Sequence, residues 1–355
     1  MDEDYDSELL CIGNALVDIF ARGEDDIDRQ LGLDEPVQHI SMEKMREILS
    51  VLPEFSVCSG GGAANVAKIS GLLGVKTGFI GALGAAPDGE SETRKSGIYD
   101  QFGSLFEREL EEAGVSTNLI RKNSPTGICL ILQMPDGRNI VAASPSAALE
   151  LSQDDIDEKI IRQADAVVLD GFMMDRQPLF RHILELADKY GTAVALDLST
   201  TGLAHERAVE IITYARAYPL IIFMNEDEAA ALYAAVSRQP IEKKSVEKLW
   251  PQMTELFKDF TSNDIYPVLA VKLGPRGAVV FANGSIYRQE TIPVIPLETT
   301  GAGDTFCAAF LAAWIREKSF TECADFGNRA ARLTLDVNGT HVDPKAVRNL
   351  AKLLK

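Results

Sequence analysis

The sequence predicts an α/β protein, a three-layer sandwich whose mostly parallel central sheet is flanked by helices, with a small β-sheet lid. Three observations predict it. Short, continuously apolar runs recur along the chain, segments of helical periodicity fall between them, and one region, 126–143, breaks the alternation. Continuous apolar runs suit strands buried on both faces, and strands alternating with helices imply a parallel sheet covered on both sides.

The first run, 9–13, closes on Gly13-Asn14 and reads as a buried strand ending at a ligand-facing loop. Further strands are expected over 75–83, 166–169, 192–198, 220–224, 267–273 and 278–281, with helices over 64–73, 105–113, 178–189, 226–235 and 245–260. Such a topology puts ligand crevices at the carboxyl ends of the strands. In 126–143, two apolar arms flank the turn Pro135-Asp136-Gly137, the pattern of a β-hairpin. The expected organisation is one domain, 1–355, with a discontinuous lid formed by about 14–24, 36–41 and 124–146. Residues 87–96, polar and without periodicity, read as an exposed insertion loop, and no fixed-period repeat is present.

Composition narrows the function. The 355 residues are 46% hydrophobic and 25% charged, with a net charge of −18. That field opposes a polyanion, which argues against nucleic-acid or anionic-membrane partners and for a small-molecule substrate. No apolar run reaches the roughly 18 residues of a membrane span, and residues 1–8 are acidic where a leader would be basic, so a cytoplasmic location is expected. The five cysteines and four histidines show no metal-ligand or redox spacing.

Chemistry concentrates in glycine-bearing loops. Thr299-Thr300-Gly301-Ala302-Gly303-Asp304 leads into an alanine-rich helix. Free amides at a helix start favour a phosphate, and glycines let a ligand approach the backbone. Asp304 reads either as an N-cap or as a general base beside an anion hole; the flanking glycines, which a cap does not need, favour the base. Ser59-Gly60-Gly61-Gly62-Ala63-Ala64-Asn65 is a second such loop, and Asn65 denies it the third glycine of a dinucleotide fingerprint. Asn65, with a donor and an acceptor, suits hydroxyl recognition; Asp18, after Asn14, suits a sugar diol or an ordinary turn. Asn225-Glu226-Asp227-Glu228 offers hard oxygens for Mg²⁺ or ordinary first-turn acids for a helix dipole. Lys272-Leu273-Gly274-Pro275-Arg276-Gly277 is a glycine turn between two apolar strands.

In this order the motifs resemble the PfkB, or ribokinase-like, family of sugar and nucleoside kinases over nearly the whole chain. Thr300-Gly301-Ala302-Gly303-Asp304-Thr305-Phe306 is similar to its C-terminal signature, and 60–74 with Gly81-Ala82-Leu83-Gly84 to its N-terminal one. The resemblance implies a ribokinase-like fold and transfer of the γ-phosphate of ATP to a primary hydroxyl. It implies Asp304 as base, an anion hole at Gly301, Ala302 and Gly303, and Asn225 and Glu228 organising Mg²⁺ through water. Lys272, Gly274, Gly277, Thr300 and Asn328, with Asn225, fall where the family binds nucleotide; Asn14, Asp18, Gly61 and Asn65 fall where it binds the sugar. Gly13-Asn14-Ala15-Leu16-Val17-Asp18 and Arg138 in the hairpin look more like the adenosine-kinase-like branch, which adds Arg138 to the substrate contacts. Two departures stand out: Glu298 replaces the Asp that many members carry at a monovalent-cation site, leaving K⁺ open, and an insertion displaces Asp100 and Gly103 from their usual run. The alternative is a catalytically silent regulator of the same fold that binds nucleotide or sugar. The exposed edge of the lid admits a monomer or a homodimer joined through it.

Overall fold

The computed structural model describes residues 7–33, 35, 37–86, 98–238, 246–262, 266–296, 299–335 and 342–354. Its strands run, in chain order, β1 (Leu9–Ile12), β2 (Leu16–Arg22), β3 (Val37–His39), β4 (Phe55–Gly60), β5 (Thr77–Gly84), β6 (Val115–Lys122) and β7 (Gly127–Gln133). There follow β8 (Asn139–Ser144), β9 (Ala166–Asp170), β10 (Ala193–Asp197), β11 (Leu220–Asn225), β12 (Val268–Lys272), β13 (Ala278–Ala282) and β14 (Ser285–Gln289).

Two sheets result. The larger has nine strands in the order β14-β13-β12-β11-β10-β9-β1-β5-β6, the smaller five in the order β3-β8-β7-β2-β4. From β6 to β12 the large sheet is parallel, and β13 and β14 close one edge as antiparallel strands. Helices cover both its faces, as the fold class anticipates.

The central strands are buried along their whole length, which is why they stand out as apolar runs. Strands at the edges differ. β6 (Val-Ser-Thr-Asn-Leu-Ile-Arg-Lys) and β14 are only partly covered and carry polar residues, and neither is expected from the sequence. The small sheet also gains β4, outside the anticipated lid segments, because its first residues are exposed and its last are Ser-Gly. Asp100 caps the helix Gln101–Glu112, accepting from the Gly103 amide at 2.7 Å, so that helix starts four residues before the expected 105. The insertion loop, 87–96, and Glu298 lie outside the described residues.

One helix sets the frame for the site. Ala302–Ile315 is buried continuously from Thr305 to Ala313 and therefore has no polar face. Phe223 of β11 meets Phe310 edge-on at 5.2 Å and Phe306 at 6.4 Å. Such pairs contribute about 0.5–1.5 kcal/mol each beyond their buried area and fix the helix start over the ends of the strands.

The chain passes between the sheets four times, at β1 to β2, β4 to β5, β6 to β7 and β8 to β9. Each passage is tied to the large layer. Arg176 donates to Asn14 Oδ1 (2.8 Å) and to the Ala148 carbonyl (2.6 Å), holding the first and the last. Ser59 donates its amide and hydroxyl to Glu109, and Asp100 accepts the Thr126 amide and hydroxyl.

Candidate active site

The site lies where the helix Ala302–Ile315 begins. Gly301 is its N-cap, with φ +78° and no side-chain cap, so Asp304 is not spent on capping its own helix. The Ala302 amide is turned to the Thr299 carbonyl at 3.2 Å and does not belong to an anion hole, contrary to expectation. Among the described residues the amides of Gly303 and Asp304 have no acceptor. A side chain at 303 would stand 3.2 Å from Lys272 Nζ, so bare backbone here brings an ammonium against the free amides.

Asp304 opens into a pocket of about 300 Å³ together with Gly62, Asp170, Asp197, Ser199, Asn225, Glu228, Lys272, Gly301 and Gly303. Its Oδ2 accepts from Asn65 Nδ2 at 2.9 Å. Burial pushes its carboxyl up to about 7, helped by Asp197 and opposed by the Asn65 hydrogen bond and Lys272. A carboxyl so poised suits proton abstraction near neutral pH.

The glycines Gly60, Gly61 and Gly62 lie against a row of polar groups. A Cβ on Gly60 would overlap the Asp18 carboxylate at about 2 Å, one on Gly61 would meet the Asn14 carbonyl at 2.3 Å, and one on Gly62 would approach Asp170 and Asp304. Gly61 has φ +95°, open to glycine at little cost. Burial raises Asp18 to about 7, with Lys68 opposing, and Asp170 to about 6, with Arg176 opposing. Asp170 Oδ1 and Asn65 Oδ1 are buried without a hydrogen-bond partner. A bound hydroxyl is the simplest donor to complete them.

A second cleft, of about 610 Å³, opens on the other side of Gly303 and Lys272. Gly274, Gly277, Asn328 and Asn225 line it, together with Pro293, Val294 and Phe306. Gly277 has φ +91°, and a Cβ there would meet the Gln289 carbonyl at 2.1 Å, to which Asn328 Nδ2 also donates. Thr299 rather than Thr300 lines this cleft.

Asn225 and Glu228 form a reciprocal cap: Asn225 Oδ1 accepts the Glu228 amide at 2.8 Å, while Glu228 accepts the Asn225 amide and side chain at 2.8 and 2.9 Å. Both reach the 300 Å³ pocket, and both oxygens of Glu228 are engaged, which fits a metal held through water better than direct ligation. Among the described residues no group of three His, Cys, Asp or Glu is placed to hold a metal. Burial alone would lower the Lys272 ammonium, but Asp197, 2.8 Å away, and Glu228 hold it above its ordinary value.

Arg138 does not join the cluster. It is exposed at the far end of the hairpin, paired with Asp136 at 2.6 Å and Asp28 at 3.4 Å. Asp18 pairs with Cys129 and the hairpin closes at Gln133 opposite Asn139, so at about 3.3 Å per residue the turn lies roughly 13 Å beyond the acidic row. Conversely, Asp170, Asp197 and Arg176 are site residues that sequence reasoning did not single out. Two of them end β9 and β10, the crevice side of a parallel sheet, and that position is the signal that marks them.

A parallel sheet with a buried carboxylate at its crevice, between a row of acidic side chains and a second cleft, points to the class: a phosphotransferase acting on alcohol groups. The family model described as pfkB family carbohydrate kinase matches residues 37–346, and the chain belongs to that family. It is 29% identical over 309 residues to a ribokinase of Arabidopsis thaliana, covering 84% of this chain and 72% of that one. It is 24% identical to a 5-dehydro-2-deoxygluconokinase of Clostridium beijerinckii over 86% and 87% of the two chains. The crystal structure of adenosine kinase from Sinorhizobium meliloti superposes with a TM-score of 0.80 at 24% identity, covering 99% of this chain and 100% of that one. The ribokinase-like fold and the kinase activity expected from the sequence are thereby borne out, and the regulatory alternative gains no support. No helix among the described residues is long and apolar enough to cross a membrane.

Proposed function

We propose that this kinase transfers the γ-phosphate of ATP to a primary hydroxyl of a sugar or nucleoside, with Asp304 as general base. The observation that carries the reading is the meeting, at one helix start, of a near-neutral carboxyl with the amides of Gly303 and Asp304, which have no acceptor among the described residues. Asp18, Asn14, Asn65 and Asp170 hold the acceptor against the glycine row, and Asn65 also orients the base through its 2.9 Å hydrogen bond. The nucleotide occupies the 610 Å³ cleft, with Lys272 and the two amides toward the transferred group. Asn225 and Glu228 would hold Mg²⁺ through water, where it would offset phosphate charge. Asp304 takes the hydroxyl proton as that oxygen attacks; the amides and Lys272 stabilise charge on the group in flight. The enzyme works in the cytoplasm, as a monomer or as a homodimer joined through the small sheet. In-line transfer of this kind rests on positioning and charge.

Asp304→Asn is expected to lower kcat by roughly 10²- to 10⁴-fold with the fold intact. Steady-state ADP release with a responsive acceptor, alongside circular dichroism, measures this. A folded variant with wild-type turnover would remove Asp304 from the reaction.

A further inference from the structure

Resting on the kinase reading above, we infer that the acceptor is an uncharged polyhydroxy compound and that the site rejects sugars or nucleosides carrying a phosphate or carboxylate. The walls beside the glycine row supply acceptors of hydrogen bonds: the carboxylates of Asp18, Asp170 and Asp304, the Asn14 carbonyl and the open Oδ1 of Asn65. Asp18, Asp170 and Asn65 are more than nine-tenths buried, so their charge and lone pairs are poorly screened. Hydroxyl groups donate to all of them. A second anion donates to none.

Among the described residues, the cations that reach this end are already paired. Arg176 gives one terminal nitrogen to Ala148 and the other to Asn14 and the Met173 sulfur, and its Nε is sealed from solvent with no partner. Lys68 donates to the Ser59 carbonyl at 2.6 Å and lines a separate groove with Glu109 and Arg348. Lys272 lies between the 300 Å³ pocket and the second cleft, and its ammonium is paired with Asp197 at 2.8 Å. The row therefore binds by accepting hydrogen bonds, and the described side chains favour a neutral acceptor.

The test uses pairs that keep the same primary hydroxyl and differ in charge: ribose and ribose 1-phosphate, adenosine and adenosine 3′-phosphate, fructose and fructose 1-phosphate. With ATP·Mg²⁺ at pH 8, above the titration of all three carboxyls, the neutral member of the responsive pair is expected to show kcat/KM on the order of 100-fold above its anionic mate. Asp170→Asn should narrow that gap by raising activity on the anionic mate relative to the neutral one. Equal or better phosphorylation of the anionic mate by the wild-type enzyme overturns the inference and leaves the kinase reading standing. Thermal stabilisation by the neutral member with no ADP formed would instead overturn the kinase reading, and this inference with it.

Discussion

Asp304 shows how a single group trades stability for chemistry. Its folded pKa, about 7, lies above the ordinary carboxyl value near 4 because burial and Asp197 disfavour its charge. Between those values the folded state binds more protons than the unfolded chain, so the contribution of Asp304 to stability is present at low pH and is lost as pH rises through 7. Asp304→Asn, which cannot ionise, is therefore expected to melt higher than wild type at pH 8, by on the order of 1–2 kcal/mol once partial solvent access is allowed for, and to lose that advantage at pH 4. Paired thermal melts at the two pH values check it; an unchanged difference would mean that the carboxylate is not held at a cost.

At the scale of elements, the glycine loop between β4 and the helix Gly62–Leu72 acts as a surface rather than a hinge. Gly61→Ala must place a methyl 2.3 Å from the Asn14 carbonyl at φ +95°, and is expected to cost at least about 2 kcal/mol. It should also raise the acceptor KM more than the ATP KM, which initial-rate kinetics at varied concentrations of each separates; equal effects on both would detach Gly61 from the acceptor. That loop was legible in the sequence because glycines at fixed places leave a strong signature, as do β5, β9 and β11, whose burial on both faces leaves runs that are apolar but for one terminal residue. β6 and β14 were not, because a half-covered edge tolerates Thr, Asn and Arg. The helix Phe320–Thr334 was missed although its Ser319–Glu322 capping box is written in the sequence. Arg138 was misplaced for another reason: motif spacing says which strand turn a residue occupies, not how far along the strand that turn lies. Arg176 was illegible because its role arises from contacts between segments distant in sequence, such as the 162 positions separating it from Asn14.

For the whole molecule, the small sheet is joined to the large one by four passages, each held by buried or half-buried polar contacts, while the pocket at the strand ends of the large sheet has room for a ligand. Excluding water from a phosphoryl in flight calls for the small sheet to swing toward the large one. Acceptor and a nonhydrolysable ATP analogue together should lower the radius of gyration in small-angle scattering and slow amide exchange in β2 and β7; identical profiles with and without both ligands would count against closure. The bare run from Gly60 to Gly62 has a consequence for how such an enzyme changes allegiance. At Gly61 the neighbour is main chain and φ is +95°, so a side chain there strains the backbone, whereas at Gly60 it would meet the Asp18 carboxylate. Change of substrate can also enter from the small sheet, where Cys58 and Cys129 flank Asp18 on the neighbouring strands. Descendants of this chain can thus acquire different tastes one strand residue at a time while the reacting machinery stays untouched.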